Sequence, residues 1–318
     1  MAAGAVAEKY LSRAHNVQTV AYVSSVGQEH LFPATPKHPT ASTNPAFLSL
    51  ISTITREQVD SFIPVRCPDT DASARMAKVI EQHRDAQDSI GGTVTCVIRN
   101  CPIGLGEPCF EKLEAMLAQA MLSIPATKGF EIGSGFGGCE VPGSVHNDPF
   151  IFTPVPGSSE AEPIFSSASA ISSSSPFNKP DIPAATRSTD IVNDTTTDTS
   201  HDRPPFPTAS STSQPQQRRI LTTKTNNSGG IQGGITNGAP IYFRVAFKPP
   251  ATIGQAQSTA SYDFKEGVLE AKGRHDPCVV PRAVPIVEAM AALVVVDALL
   301  AQKAREGARS SLIGGQMT

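Results

Sequence analysis

The sequence contains no tryptophan, and aromatic residues make up only 6% of it. Few flat side chains are left on which bases could stack, which argues against a nucleic-acid binder. Charge is scarce as well: charged residues are 17% of the chain and the formal net charge is −3. No basic stripe breaks that balance, so the electrostatic footprint of nucleic-acid recognition is missing. None of the cysteines, Cys67, Cys96, Cys101, Cys109, Cys139 and Cys278, stands in a Cys-X-X-Cys pair, and no zinc spacing is present. Reduced thiols in a cytoplasmic protein, with no metal site, are the simplest expectation. No positively charged start followed by an apolar run marks a secretory signal. The longest apolar stretch, 284–300, carries Glu288 and Asp297 and is short for a bilayer, so a buried helix is expected there and no membrane span.

What is present suits a globular protein. The chain has 318 residues, of which 39% are hydrophobic, enough for a substantial core. Residues 2–15 read as a helix, with Val6, Tyr10 and Ala14 at helical spacing. No capping side chain precedes it, so the chain reads as starting inside a longer unit. Residues 17–26 alternate as a strand, and Pro33, Pro36, Pro39 and Pro45 then mark a loop. A second helix is expected over 71–87. A strand follows at 93–99, with Val94, Cys96 and Ile98 on one face. Pro108 is placed in the first turn of a helix whose stripe is Phe110, Leu113, Leu117 and Met121, ended by Pro125. The glycines at 129, 133, 135, 137, 138 and 143 suggest tight turns rather than a regular element.

Residues 151–223 differ from the rest. Ser, Thr and Pro dominate, and such a segment cannot bury enough apolar surface to offset its ordering entropy, so a disordered insertion is expected. Patterned sequence resumes at 224, with a strand at 241–247 and a buried helix at 284–303. The organisation is thus a core in two parts, 1–150 and 224–303, split by the insertion and followed by a fraying polar tail at 304–318. Alternation of strands and helices by itself supports an α+β class.

Three stretches carry candidate chemistry. Around Asn226, Asn227 and Ser228, the pairs Gly229-Gly230 and Gly233-Gly234 let backbone N–H groups approach a ligand, although a pair of tight turns explains them equally well. Lys248-Pro249-Pro250-Ala251-Thr252 puts a lysine at a strand exit, where it could hold a phosphate. Gly273-Arg274-His275-Asp276-Pro277-Cys278 concentrates a guanidinium, an imidazole and a carboxylate at the lip of the apolar helix. Arg suits a planar anion, and Asp or His can move protons.

The run GRHDPCVVPRAVPIVEAM, from Gly273 to Met290, resembles the C-terminal signature of the chorismate synthase family. The runs GGTVTCVIRNCPIGLGEPCFEKLEAMLAQAMLSIPATKGFEIGSGF and TNNSGGIQGGITNGAPIYFRVAFKPPATIGQ are similar to the fungal branch of that family, in the right order. The resemblance implies a β-α-β sandwich, antiparallel sheets around a helical layer, assembled as a homotetramer. It also implies conversion of 5-enolpyruvylshikimate 3-phosphate to chorismate and phosphate, with reduced FMN and, in fungal members, NADPH for flavin reduction. Carried over residue by residue, Arg274 is a contact of flavin and substrate and Asp276 is the proton relay near flavin N5. Lys248, Pro249, Pro250, Ala251 and Thr252 match the loop at the flavin phosphate, with Pro250 and Ala251 lacking hydroxyls that bacterial members carry. Gly233 matches a flavin contact. Pro125 and Ala126 match a flavin-contact pair that is often Asn-Ala elsewhere.

The family's opening segment, with its two acidic histidines and an Arg-Ser-Ser-Ala-Arg run, finds no counterpart here. The resemblance therefore implies an N-terminally truncated member, with little or no turnover expected from the 318-residue chain alone. The alternative is a catalytically deficient paralogue that binds FMN or joins full-length subunits.

Overall fold

The computed structural model describes residues 1–154 and 219–314. Helix α1 (Ala2–His15) leads into β1 (Gln18–Val26) and the short β2 (Glu29–His30). Then come α2 (Pro45–Thr53), α3 (Arg56–Asp60), α4 (Thr70–Asp85) and β3 (Gly92–Arg99). Helix α5 (Leu113–Leu122) precedes β4 (Thr127–Ile132), the single turn α6 (Gly143–His146) and β5 (Phe150–Pro154). After β6 (Arg219–Thr223), the small hairpin β7 (Ile231–Gln232) and β8 (Ile235–Thr236) leads to β9 (Ile241–Phe247). A second hairpin, β10 (Gln257–Ala260) and β11 (Glu266–Leu269), precedes the long α7 (Val280–Gly314).

The frame is an antiparallel sheet in the order β2-β1-β3-β9-β4. Its strands bury both faces. On one, Ala21, Val23, Val94, Cys96, Ile98, Phe243 and Val245 meet α1, α4, α5 and α7. On the other, Val20, Tyr22, Val97 and Tyr242 meet Phe47, Ile51, Ile54 and Val59 of the segment from α2 to α3. Helices and antiparallel strands are thus segregated in layers, which is the α+β class.

Several expected elements shift, each for a local reason. The buried stripe of α1 is Gly4, Ala7 and Leu11, whereas Val6 is 71% exposed. A Cβ on Gly4 would lie 2.4 Å from that of Ala289, so α1 and α7 approach at a point where only glycine fits. The loop expected after Pro33 gives way to α2, with Pro45 in its first turn and the Asn44 side chain capping the Ala46 N–H, and then to α3 with a Thr55–Gln58 capping box. Helix α5 starts at Leu113, because Phe110 adopts φ 57° in a tight turn and is 93% exposed rather than part of the stripe. The glycine-rich region nonetheless contains the strand β4.

The ends of the expected insertion are ordered: β5 and β6 pair from Phe150↔Thr223 to Pro154↔Arg219. The disorder expected between them falls on 155–218, outside the described residues. Helix α7 begins four residues before the expected position and continues through much of the expected frayed tail, to Gly314. Pro281 is tolerated in its first turn. Pro285, which has no N–H, would leave the Pro281 carbonyl without its helical donor; the Arg66 Nη1 donates to it instead, at 2.9 Å. On length and composition α7 could cross a membrane, but in the structure it is the helix around which α1, α5, β1 and β3 pack.

Candidate active site

Two of the sequence-derived groups meet at one end of the sheet. Where β9 ends, the Lys248 N–H donates to the Ala126 carbonyl at 2.9 Å, and Ala126 itself sits at φ 68°. The turn between α4 and β3 then ties this edge to the segment before α7. Ser89 Oγ donates to the Pro250 carbonyl at 2.6 Å, and the next residue, Ile90, donates its N–H to the Pro277 carbonyl at 2.8 Å. Ala271 N–H reaches the Ile253 carbonyl at 3.3 Å. Pro125–Ala126, Lys248–Thr252 and Arg274–Pro277 are therefore neighbouring segments, held by backbone hydrogen bonds and by the Ser89 hydroxyl.

Their side chains differ in freedom. Lys248, Ala251, Thr252 and Arg274 are exposed, while Asp276 is half-buried. The Lys248 ammonium makes only a 3.4 Å contact with the adjacent Pro249 carbonyl. Asp276 is anchored: its Oδ2 accepts from Arg282 Nη1, six residues further along at the start of α7. His275 Nε2 lies 3.3 Å from the Ala271 carbonyl. Two exposed cations and a hydroxyl on one edge can hold a phosphate or carboxylate. An anchored carboxylate beside them can accept a proton.

Gly233 lies elsewhere. Leu113 N–H donates to the Gly234 carbonyl at 2.9 Å, which places the β7–β8 turn at the start of α5, while Ala126 follows the end of that helix. The two points are separated by the ten residues of α5, about 15 Å. Within one chain, Gly233 is not brought to the Lys248 edge. The polar residues of its loop are also committed internally. Asn226 accepts from the Gly230 N–H and donates to the Pro240 carbonyl, and Asn227 donates to the His146 carbonyl. These bonds favour the tight-turn reading of the loop over ligand contact by its amides.

Two carboxylates escaped the sequence reading. Asp148 organises the 225–228 loop, accepting from Thr225 Oγ1 at 2.6 Å and from the N–H groups of Asn227 and Ser228, each at 2.8 Å. Burial would raise its pKa, but those hydrogen bonds prevail and hold it below the usual range. Glu288 is the other. It was visible only as an interruption in an apolar run. Its Oε1 accepts the Ala21 N–H at 2.8 Å and its Oε2 meets Arg56 at 2.9 Å; Arg56 also reaches Glu8 at 2.6 Å. Burial pushes Glu288 up to about 7, against the pull of Arg56. No sequence signal separates either carboxylate from a solvated one, since the partners lie far along the chain. Among the described residues, no cluster of three or more His, Cys, Asp or Glu could hold a metal.

Comparison with known proteins identifies the family. The family model described as chorismate synthase matches residues 1–173 and 184–300. The chain is 60% identical over 313 residues to a chorismate synthase of Neurospora crassa, covering 98% of this chain and 62% of that protein. It is 49% identical over 310 residues to a chorismate synthase of Saccharomyces cerevisiae, covering 98% of this chain and 64% of that one. The chain thus spans somewhat less than two thirds of the length of these relatives. A solved structure titled "Crystal Structure of Chorismate Synthase" superposes with a TM-score of 0.58 at 24% identity, covering 95% of this chain and 62% of that one; this likeness shows the fold. With a family match over most of its length and an ordered set of shared motifs, this chain belongs to the chorismate synthase family.

Proposed function

We propose that this chain acts as a chorismate synthase, a carbon–oxygen lyase that converts 5-enolpyruvylshikimate 3-phosphate into chorismate and phosphate by 1,4-anti elimination, in the route to the aromatic amino acids. The observation that carries this reading is the 60% identity to the Neurospora crassa chorismate synthase over 98% of the chain. The comparisons lend no support to a catalytically deficient partner role.

The residues at the Lys248 edge fit the phosphate end of FMN. The Lys248 ammonium has no strong internal partner, Thr252 offers an exposed hydroxyl, and Arg274 adds a second exposed cation. Pro250 and Ala251 offer carbonyls and packing but no hydroxyl, and the Pro250 carbonyl is already taken by Ser89. Pro125 and Ala126 border the same edge, and the Ala126 carbonyl is taken by Lys248. Held by these residues, reduced FMN would supply the electron density that the elimination calls for. Arg274 binds and orients the anionic substrate. Asp276, with Oδ2 held by Arg282, takes the departing proton at Oδ1. Reduction of the flavin by NADPH, a homotetrameric assembly and a cytoplasmic location complete the proposal. Six free cysteines support a reducing compartment.

The test is an anaerobic assay of the chain with 5-enolpyruvylshikimate 3-phosphate and chemically reduced FMN, alongside titration of FMN binding. The expected result is equimolar chorismate and phosphate, dependent on reduced flavin, against the little or no turnover that the absent N-terminal motifs imply. FMN binding without turnover would overturn the catalytic reading in favour of the non-catalytic partner. Absence of both would overturn the assignment of the Lys248 edge as well.

A further inference from the structure

The hairpin of β10 and β11 stands off the body of the fold. Its strands pair only with each other, from Gln257↔Leu269 to Ala260↔Glu266, and every residue from 255 to 270 is exposed. A two-stranded ribbon is marginal by itself and calls for a surface to pack on. Its large apolar side chains nonetheless face solvent: Tyr262 and Phe264 at the tip, Val268 and Leu269 along β11. The backbone at the tip adds a cost. Phe264, 98% exposed, sits at φ 60°, in the left-handed region that suits glycine or asparagine and not an aromatic residue. Neither the strain nor the exposure gains anything within the chain.

A second place repeats the pattern. Phe110 also combines a left-handed backbone, φ 57°, with 93% exposure, and it shares the loop between β3 and α5 with the exposed Ile103. That loop is fixed. Gly104 N–H donates to the Thr236 carbonyl at 3.0 Å, Leu105 N–H to Thr236 Oγ1 at 2.9 Å and Glu107 N–H to the Glu111 carbonyl at 3.0 Å. Ile103 and Phe110 thus form a preformed apolar patch beside the β7–β8 hairpin.

Arm and patch do not serve each other within one chain. The arm leaves the body where Gly254 N–H donates to the Gln87 carbonyl and Ala271 N–H to the Ile253 carbonyl, near the Lys248 edge. The patch lies at the other end of α5, about 15 Å away. A second copy of the chain satisfies both. Under two-fold symmetry each arm reaches the patch of the other chain, and the contact closes on itself. The exchange covers Tyr262, Phe264 and Phe110 of both chains. Six aromatic side chains at roughly 200 Å² each come to about 1,200 Å², where specific interfaces begin. An unrelated partner would need only one of the two strained, exposed sites.

We propose that β10–β11 is an exchange arm, docking through Tyr262 and Phe264 on the Ile103–Phe110 patch of a second copy of this chain. The proposal rests on the homomeric assembly put forward above, to which it gives a surface, and not on the chemistry at the Lys248 edge.

The test combines sedimentation velocity of the full chain with a disulfide trap. Cys109, an exposed free thiol, adjoins Phe110. Tyr262→Cys is oxidised with oxidised glutathione in an equal mixture of 15N-labelled and unlabelled chains, and the linked peptides are mapped by mass spectrometry. The expected result is a link from position 262 to Cys109 with mixed isotopic content, which only two chains can produce. The double variant Tyr262→Ser/Phe264→Gly should associate at least about tenfold more weakly than the wild type. Its circular dichroism should be unchanged, since the arm packs on nothing in its own chain. Wild type sedimenting as a monomer at tens of micromolar would overturn this proposal together with the assembly it rests on. Association that the double variant leaves unchanged would overturn the arm alone. So would failure of position 262 to link to Cys109 of another chain, whether it links within its own chain, to its own counterpart, to Cys139 or not at all.

Discussion

On its helical side the sheet meets Leu11, Leu117, Met121 and Val287, each 1% exposed or less; on its other side it meets Phe32, Pro33 and Phe47 across a cavity of about 470 Å³. The first face is closed by regular helices whose side chains interlock, and a single buried carboxylate, Glu288, stitches α7 to β1 and to Arg56. The second is closed by short helices and an irregular segment, which leave the cavity between them and the sheet. Close packing makes a rigid platform, and the segment carrying Arg274 and Asp276 leads into α7, where Arg282 anchors Asp276. Loose packing over aromatic and polar groups leaves room for a ligand.

The largest expected effect lies on the packed face. Glu288→Ala strands the Ala21 N–H and removes a partner of Arg56, and should cost about 4 kcal/mol, read by urea denaturation. If it cost no more than an ordinary surface substitution, the stitch would be no part of the face's stability. The same residue makes the face pH-sensitive. Its folded pKa of about 7 exceeds the ordinary 4.5, so the folded protein holds this proton more tightly than the unfolded chain does. That contribution is complete below pH 4.5 and is lost as pH rises through 7, on the order of 3 kcal/mol in all. Glu288→Gln should flatten the decline, and an equal slope in wild type and variant would assign it to other groups. Leu117→Ala, in the same layer, should cost about 3 kcal/mol.

The cavity face should respond less. Phe32→Ala, half-buried at the rim, should cost about 1 kcal/mol, because the space it would vacate already adjoins a void. Tyr22→Phe should be smallest, within about 1 kcal/mol of the wild type, since its buried hydroxyl lies beside Thr95 but meets no partner in good hydrogen-bond geometry. A marked loss of stability in Tyr22→Phe would show that the hydroxyl is paired in solution and that the two faces are more alike than described.

The same contrast decides what was legible beforehand. The strands β1, β3 and β9 and the helix α5 follow from apolar spacing, and α7 from its continuous apolar run; α1 and α4 were placed in the right stretch without their buried faces being read. Helices α2 and α3 were hidden by the prolines before them, one of which, Pro45, begins a helix instead of preventing it. The stripe of α1 was misplaced because Gly4, which carries no hydrophobic signal, is the residue that α7 requires. The extent of α7 was underestimated because its polar end gives no period and its prolines look like breaks, although Arg66 repairs one of them from far along the chain. At the candidate site, motif resemblance located Lys248, Arg274 and Asp276. It could not reveal that Arg282 anchors Asp276 or that Gly233 lies at the far end of α5. Asp148 and Glu288 depend on partners distant in sequence, which no local pattern encodes.

The assignment of the chemistry to the Lys248–Asp276 edge is tested most directly by turnover of 5-enolpyruvylshikimate 3-phosphate under reduced FMN, measured as chorismate formed by the wild-type chain and by Asp276→Asn. The substitution keeps the shape of the side chain and its contact with Arg282 while removing the proton acceptor. Chorismate formation by the wild type, reduced by about 100-fold or more in the variant with FMN binding unchanged, is the predicted result. Equal rates for the two proteins, or no chorismate from the wild type, would contradict it.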